Sequence, residues 1–135
     1  MSTVIATQWL EASADSANNK EHERHMALIS SKIRLTGVPG YDSIGYDDWA
    51  RQTKHEFENN ILKRVSYRGL KMIAETATHI MFKTHETVEA TDGTVNAQGV
   101  EMVLEQEADG VWRLIQERVL SAEEATHDGL IEKHC

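Results

Sequence analysis

The 135-residue chain has one cysteine and one proline, and 6% of its residues are aromatic. The lone cysteine, Cys135, has no partner for an internal disulfide, so the fold must stand on packing alone. The opening residues lack both a basic stretch and a long apolar one, so no secretory signal is expected and a reducing cytoplasm is the expected compartment. Positive charge is scarce: Lys+Arg number 14 against Asp+Glu 22, a formal net charge of −8. That balance argues against non-specific binding to nucleic acid or to an anionic membrane, which require positive charge facing phosphate. The densest basic group, Lys63, Arg64, Arg68 and Lys71, is too sparse for a nucleic-acid footprint. No run approaches the roughly 18 apolar residues of a membrane-spanning helix. A glycine-rich phosphate loop and a nucleophile elbow are also missing, and Cys135 has no fixed base beside it.

What is present describes one globular domain: 40% hydrophobic and 27% charged residues, enough to bury a core without metal. The expected domain is 1–120, followed by a polar segment, 121–135, read as a tail or short terminal helix. Ile5, Trp9, Ala12 and Ser16 recur at helical spacing. Asn18-Asn19 interrupts that helix, and Asn19 is expected to cap a second one from Lys20 that carries His22, Met26 and Ile29 on one face. Residues 32–36 alternate as a short strand. A turn-rich segment with Gly37, Pro39, Gly40 and Gly45 follows, and Asp47-Asp48 open a third helix through Trp49, Thr53 and Phe57. From 61 to 120 the pattern is four long strands, with a bulge expected at Gly69 and hairpin turns at Asp92-Gly93 and Asp109-Gly110. The fold class is α+β: three helices packed on a curved antiparallel sheet.

Alternation assigns Ile80, Phe82, Val100, Met102, Leu104, Trp112 and Leu114 to the sheet face under the helices. The opposite face then carries Met81, Val103, Ile115 and Val119 among Lys83, Glu101, Glu105 and Glu117. A contiguous apolar patch there suits sheet-to-sheet pairing, so a homodimer through Met81, Val103, Ile115 and Val119 is expected.

This order of elements, together with the stretch Asp109-Gly110-Val111-Trp112-Arg113-Leu114, resembles the nuclear transport factor 2-like superfamily, with its polyketide cyclase-like and ketosteroid isomerase-like bacterial members. The resemblance implies a cone-shaped, cystatin-like fold that encloses a pocket, and in many members a homodimer. Ketosteroid isomerase-like members would need a carboxylate base near Thr36, a tyrosine near Trp9 and a protonated aspartate near Met102. None of those residues suits its role, and Asp42, Glu101 and Glu105 do not restore the set. Scytalone dehydratase-like members rely on pocket histidine and aspartate. Here His79 and His85 are expected on the outer face and His127 and His134 in the tail, which leaves His22 and His25 on the second helix.

A pocket wall continuing the inward strand positions would be formed by Thr84 and Glu86 beyond Phe82, Gln98 before Val100, and Gln116 and Arg118 beyond Leu114. Tyr41, Tyr46 and Trp49 gate a ligand, cap the open end of the core, or do both. The expected ligand contacts are therefore Tyr41, Tyr46, Trp49, Phe82, Thr84, Gln98, Met102, Trp112, Gln116 and Arg118. Catalytic candidates are Glu86, as a base with a raised pKa, Arg118, as an oxyanion holder, and His22. The bland alternative is that Glu86 and Arg118 simply pair with each other near the end of the sheet, or sit in water. Glu21-His22-Glu23-Arg24-His25 lacks the four-residue His spacing of a zinc hydrolase, so neither metal nor cofactor is expected. Three functions remain open: binding of a small apolar molecule between helices and sheet; a lyase, isomerase or cyclase acting on an apolar carbonyl compound; and a homodimeric assembly module.

Overall fold

A computed structural model describes residues 2–129. The expectations for His134 and Cys135 therefore lie outside the described residues. The first helix, α1 (Ser2–Asn18), buries Ala6, Trp9, Leu10, Ser13, Ser16 and Ala17, a stripe at three- and four-residue steps that suits one packed face. Its end is fixed by Asn18, whose amide donates to the Val65 carbonyl and accepts from the Val65 N–H. Asn19 does not cap the next helix. Its side chain turns back to Asp15, Lys20 adopts a left-handed φ of 56°, and α2 (His22–Met26) begins only after Glu21.

Strand β1 (Ile29–Thr36) starts three residues earlier than the alternation suggested. The segment 37–45 leads to α3 (Tyr46–Glu58), with Asp47 and Asp48 in its first turn. The strands β2 (Leu62–Glu75), β3 (His79–Ala90), β4 (Val95–Gln106) and β5 (Trp112–Val119) form an antiparallel meander. The sheet order is β1-β5-β4-β3-β2, and β1 joins the edge parallel to β5. Both hairpin turns use the aspartate as a local acceptor: Asp92 Oδ1 from the Thr94 N–H at 2.9 Å and Asp109 Oδ1 from the Val111 N–H at 3.1 Å. Gly69 takes a φ of 75° where the β2–β3 register slips between Arg68 and Lys71, the bulge expected there.

Among the register irregularities that were not expected, one decides the site. Leu104 pairs with Leu114 while Val103 pairs with Gln116, so Ile115 is the extra residue on β5. An inserted residue exchanges the faces of everything beyond it. Leu114 points into the core, but the next inward residues are Glu117 and Val119, not Gln116 and Arg118.

The core lies between α1, α2 and the inner sheet face. Ile80, Phe82, Val100, Met102, Leu104 and Leu114 meet Trp9, Leu10, Met26, Ile29 and Ile33 there. Trp9 also donates its indole N–H to the Leu28 carbonyl at 3.1 Å, so its burial leaves no polar atom unpaired. On the outer face, a short helix α4 (Ala122–His127) is capped by Ser121, which accepts from the Glu124 N–H. Asp128 at its end meets Lys71 and Lys83, each at 2.8 Å. This alters the expected dimer face: Val119 lines the interior, Val103 is buried, and only Met81 and Ile115 are half-exposed there.

Candidate functional site

The core does not fill the cone. Beyond Phe82 and Met102 a cavity of about 860 Å³ opens between α1, α3, segment 37–45 and the inner face of the sheet. Such a volume lies in the range of small-molecule sites. Three strands deliver its polar floor by simple register: Tyr67 on β2 lies opposite Glu86 on β3, and Glu86 lies opposite Gln98 on β4. The bulge at Ile115 brings Glu117 inward from β5 to the same cavity. Apolar walls come from Trp9, Phe57, Val65, Val88 and Trp49, with Tyr41 on the exposed rim.

The two carboxyls are held differently. Glu86 is raised above the ordinary carboxylate range by burial, and hydrogen bonds from Tyr67 and Gln98 partly offset this by favouring its charged form. Glu117 is 5% exposed and has no hydrogen-bond or ion-pair partner among the described residues. Burial raises its pKa well above the usual range, and the charge of Glu86 raises it further. The Tyr67 phenol is raised by burial and by both carboxylates, which keeps it protonated as a donor. It also lies 3.4 Å from Ser13 Oγ. His25, which borders the cavity, is pushed toward its neutral form by burial and sits 3.0 Å from Ser16 Oγ. The lining residues include no lysine, and the single arginine among them, Arg51, is exposed and lies 2.9 Å from Asp48.

Of the residues expected at the site, Tyr41, Trp49, Glu86 and Gln98 line the cavity. Phe82 and Met102 are sealed in the core beneath it. Thr84 is fully buried, and its hydroxyl donates to the backbone carbonyls of Arg68 and Gly69. Tyr46 and Trp112 pack against the core from its edge without lining the cavity. Gln116 is exposed on the outer face, where Arg118 bridges Glu101 at 3.1 Å and Glu124 at 3.0 Å. Arg118 therefore neither pairs with Glu86 nor holds an oxyanion. His22 is structural: its Nε2 sits 3.0 Å from the Ala50 carbonyl and its ring meets Phe57 edge-on, which ties α2 to α3. Glu117 and Val119 lie on the face opposite to the one expected, and Tyr67 was not among the expected site residues. The adjacent apolar pair Leu114-Ile115, readable in either phase, was the sole sequence signal for the bulge. Among the described residues, no group of three or more His, Cys, Asp or Glu side chains converges as metal ligands would.

No family model matches the chain, and no curated protein matches it. Solved structures do match it in shape. A nuclear transport factor 2-like protein from Cytophaga hutchinsonii superposes with a TM-score of 0.73 at 10% identity, covering 88% of this chain and 97% of that one. A provisionally assigned scytalone dehydratase from Novosphingobium aromaticivorans gives a TM-score of 0.71 at 10% identity, over 87% and 81% of the two chains. A Catenulispora acidiphila protein solved in complex with S-DNPA gives 0.65 at 18% identity, over 93% and 96%. The chain thus has the cystatin-like fold of the nuclear transport factor 2-like proteins, an α+β cone with an open, curved sheet. No described helix is long and apolar enough to cross a membrane.

Proposed function

We propose that the chain binds a small, predominantly apolar molecule in this cavity, with the molecule's polar end against Glu86, Glu117 and Tyr67. The observation that carries the reading is the placement of Glu117: a buried carboxyl without a protein partner, facing a space large enough for a ligand. With no protein donor to meet it among the described residues, this carboxyl is left to whatever enters the cavity, water or a ligand. That a Catenulispora acidiphila protein of the same fold was solved in complex with S-DNPA supports ligand binding as a use of this fold. The test is a titration of the full chain with small aromatic probes, read by NMR at the indole N–H signals of Trp9 and Trp49. Saturable shifts at both are expected. Signals that stay fixed up to millimolar probe would refute the reading.

The unequal carboxyls favour a second reading, proton transfer on the bound molecule. Glu86, hydrogen-bonded in its charged form, would accept a proton, and Glu117, held toward its neutral form, would donate one. Divergent environments for two acids are a recurring basis for such a division of roles. General acid–base groups typically contribute about 10²–10⁴-fold to rate. Exchange of the α-protons of acetophenone in D₂O is the direct assay: catalysed exchange that Glu86→Gln lowers by about 100-fold is expected. Exchange no faster than in buffer would leave binding alone.

A further inference from the structure

The cavity's hydrogen-bonding inventory is lopsided. Glu117 offers only acceptor positions when charged, and among the described residues nothing donates to it. Glu86 stands opposite Tyr67 and Gln98 in the strand register; their donor groups favour its charged form, and it too lines the cavity. Glu56 and Asp48 add negative charge nearer the rim. The only arginine in the lining is turned to Asp48, and His25 is engaged with Ser16. A carboxylate or phosphate ligand would find like charge at the floor and no cation to meet it. A neutral acceptor such as a ketone could be met by Glu117 only while that carboxyl stays protonated, whereas an ammonium meets it in its charged form and favours that form. A group with donors only and positive charge fills every vacancy: an ammonium brings three N–H donors and no acceptor. The walls suit it as well, because Trp9, Trp49 and Tyr67 present aromatic rings, and ring faces attract cations most strongly where water is excluded.

We propose that the floor of the cavity is a receptor for an ammonium group, so that the ligand is an amine on an apolar body of arylalkyl size. The inference rests on the cavity being a ligand site and adds the chemical class of what enters it. The ammonium sits between Glu117 and Glu86, and the apolar body lies along Trp9, Phe57 and Val88.

Three probes that share one body separate the possibilities: 2-phenylethylamine, 2-phenylethanol and phenylacetate, each titrated into the full chain at pH 7 with the Trp9 and Trp49 indole signals as readout. The amine is expected to bind at least tenfold tighter than the alcohol, with phenylacetate weakest. Glu117→Gln is expected to weaken the amine about tenfold and to change the alcohol by less than twofold. An alcohol that binds as tightly as the amine overturns the proposal while leaving the cavity a ligand site. So does an amine affinity unchanged in Glu117→Gln. If none of the three moves the indole signals, the ligand site and the amine class fall together. Amine-induced shifts confined to surface carboxylates, with both indoles fixed, also overturn it. The ranking of the three probes on the unaltered chain decides the matter even if the variant does not fold.

Discussion

The two faces of β5 carry the same kinds of residue to opposite ends. Glu117 and Arg118 are neighbours in sequence. Arg118 turns outward into a cluster where Glu101, Glu124, Lys83, Asp128 and Lys71 are paired by contacts of 2.8–3.8 Å. Glu117 turns inward to a space that it shares with Glu86, where the one arginine of the lining, Arg51, is exposed and paired with Asp48. The outer cluster can be explained wholly by structure, since it fastens α4 to the sheet through ordinary ion pairs. Glu117 has no such role, since it faces the cavity without a hydrogen-bond or ion-pair partner among the described residues. Charge that is paired maintains this molecule, and charge that is unpaired and buried marks where it meets something else.

The strongest way to break the contrast is to neutralise the inner acid. Glu117→Gln is expected to raise unfolding free energy at pH 7 by about 1–3 kcal/mol, because the amide keeps the shape and polarity of the side chain but carries no charge to desolvate. A higher urea midpoint at unchanged slope is the measurement. The pH dependence has a definite sign. The folded-state pKa of Glu117 is raised, so between the unfolded value and that higher one the folded chain holds a proton that the unfolded chain has released. Stability from this group is therefore fully present below the unfolded pKa and is lost as pH rises through the folded one. Glu86 acts in the same direction. The advantage of Glu117→Gln should shrink on acidification toward pH 4.3, roughly the ordinary glutamate value. An advantage that does not vary with pH would mean that the carboxyl's charge is not what burdens the fold.

How far the site was legible follows from the same strand. Elements with clean periodicity read correctly: the alternation Ile80, Phe82, Thr84, Glu86 carries the inward face of β3 straight from core to cavity, and Asp92-Gly93 and Asp109-Gly110 mark real turns. Glu86 and Gln98 were reachable because neither strand slips between core and cavity. Glu117 was not, because the β5 bulge falls at Ile115, an apolar residue with neither glycine nor proline to announce it. Beyond that point every residue exchanges faces, which sends Arg118 out and brings Glu117 and Val119 in. Tyr67 needed long-range information of another kind. That it stands opposite Glu86 depends on the β2–β3 register, which the Gly69 bulge resets. Terminal residues deceived in a similar way: Asn19 has good capping chemistry, yet its amide finds Asp15 first.

A smaller effect of opposite sign is expected on the outer face. The Asp128 carboxyl is lowered to about 2 by Lys71 and Lys83, so its contribution is present above the unfolded aspartate pKa and is lost as pH falls through about 2. Lys83→Met removes one of its two partners and a contact to Glu124. Hydrogen exchange at Ala125, Asp128 and Gly129, whose amides close the turns of α4, should quicken while core amides of β3 and β4 keep their protection. Loss of protection across the whole sheet would show that α4 is a structural part of the cone and not a clasp upon it.

The smallest effect is the one expected at Arg51, and it tests whether position or charge defines the inner site. Arg51 belongs to the cavity lining, yet it is exposed and its Asp48 partner lies three residues away on the same helix. Exposed pairs of this kind are worth about 0–1 kcal/mol, so Arg51→Ala should move the urea midpoint very little. Its effect on ligands should be equally slight, with 2-phenylethylamine affinity rising by less than about threefold, because the change removes a like charge that is already countered and wet. A large gain in amine affinity would move the deciding electrostatics from the buried pair to the rim. The contrast between the faces of β5 would then no longer identify the site.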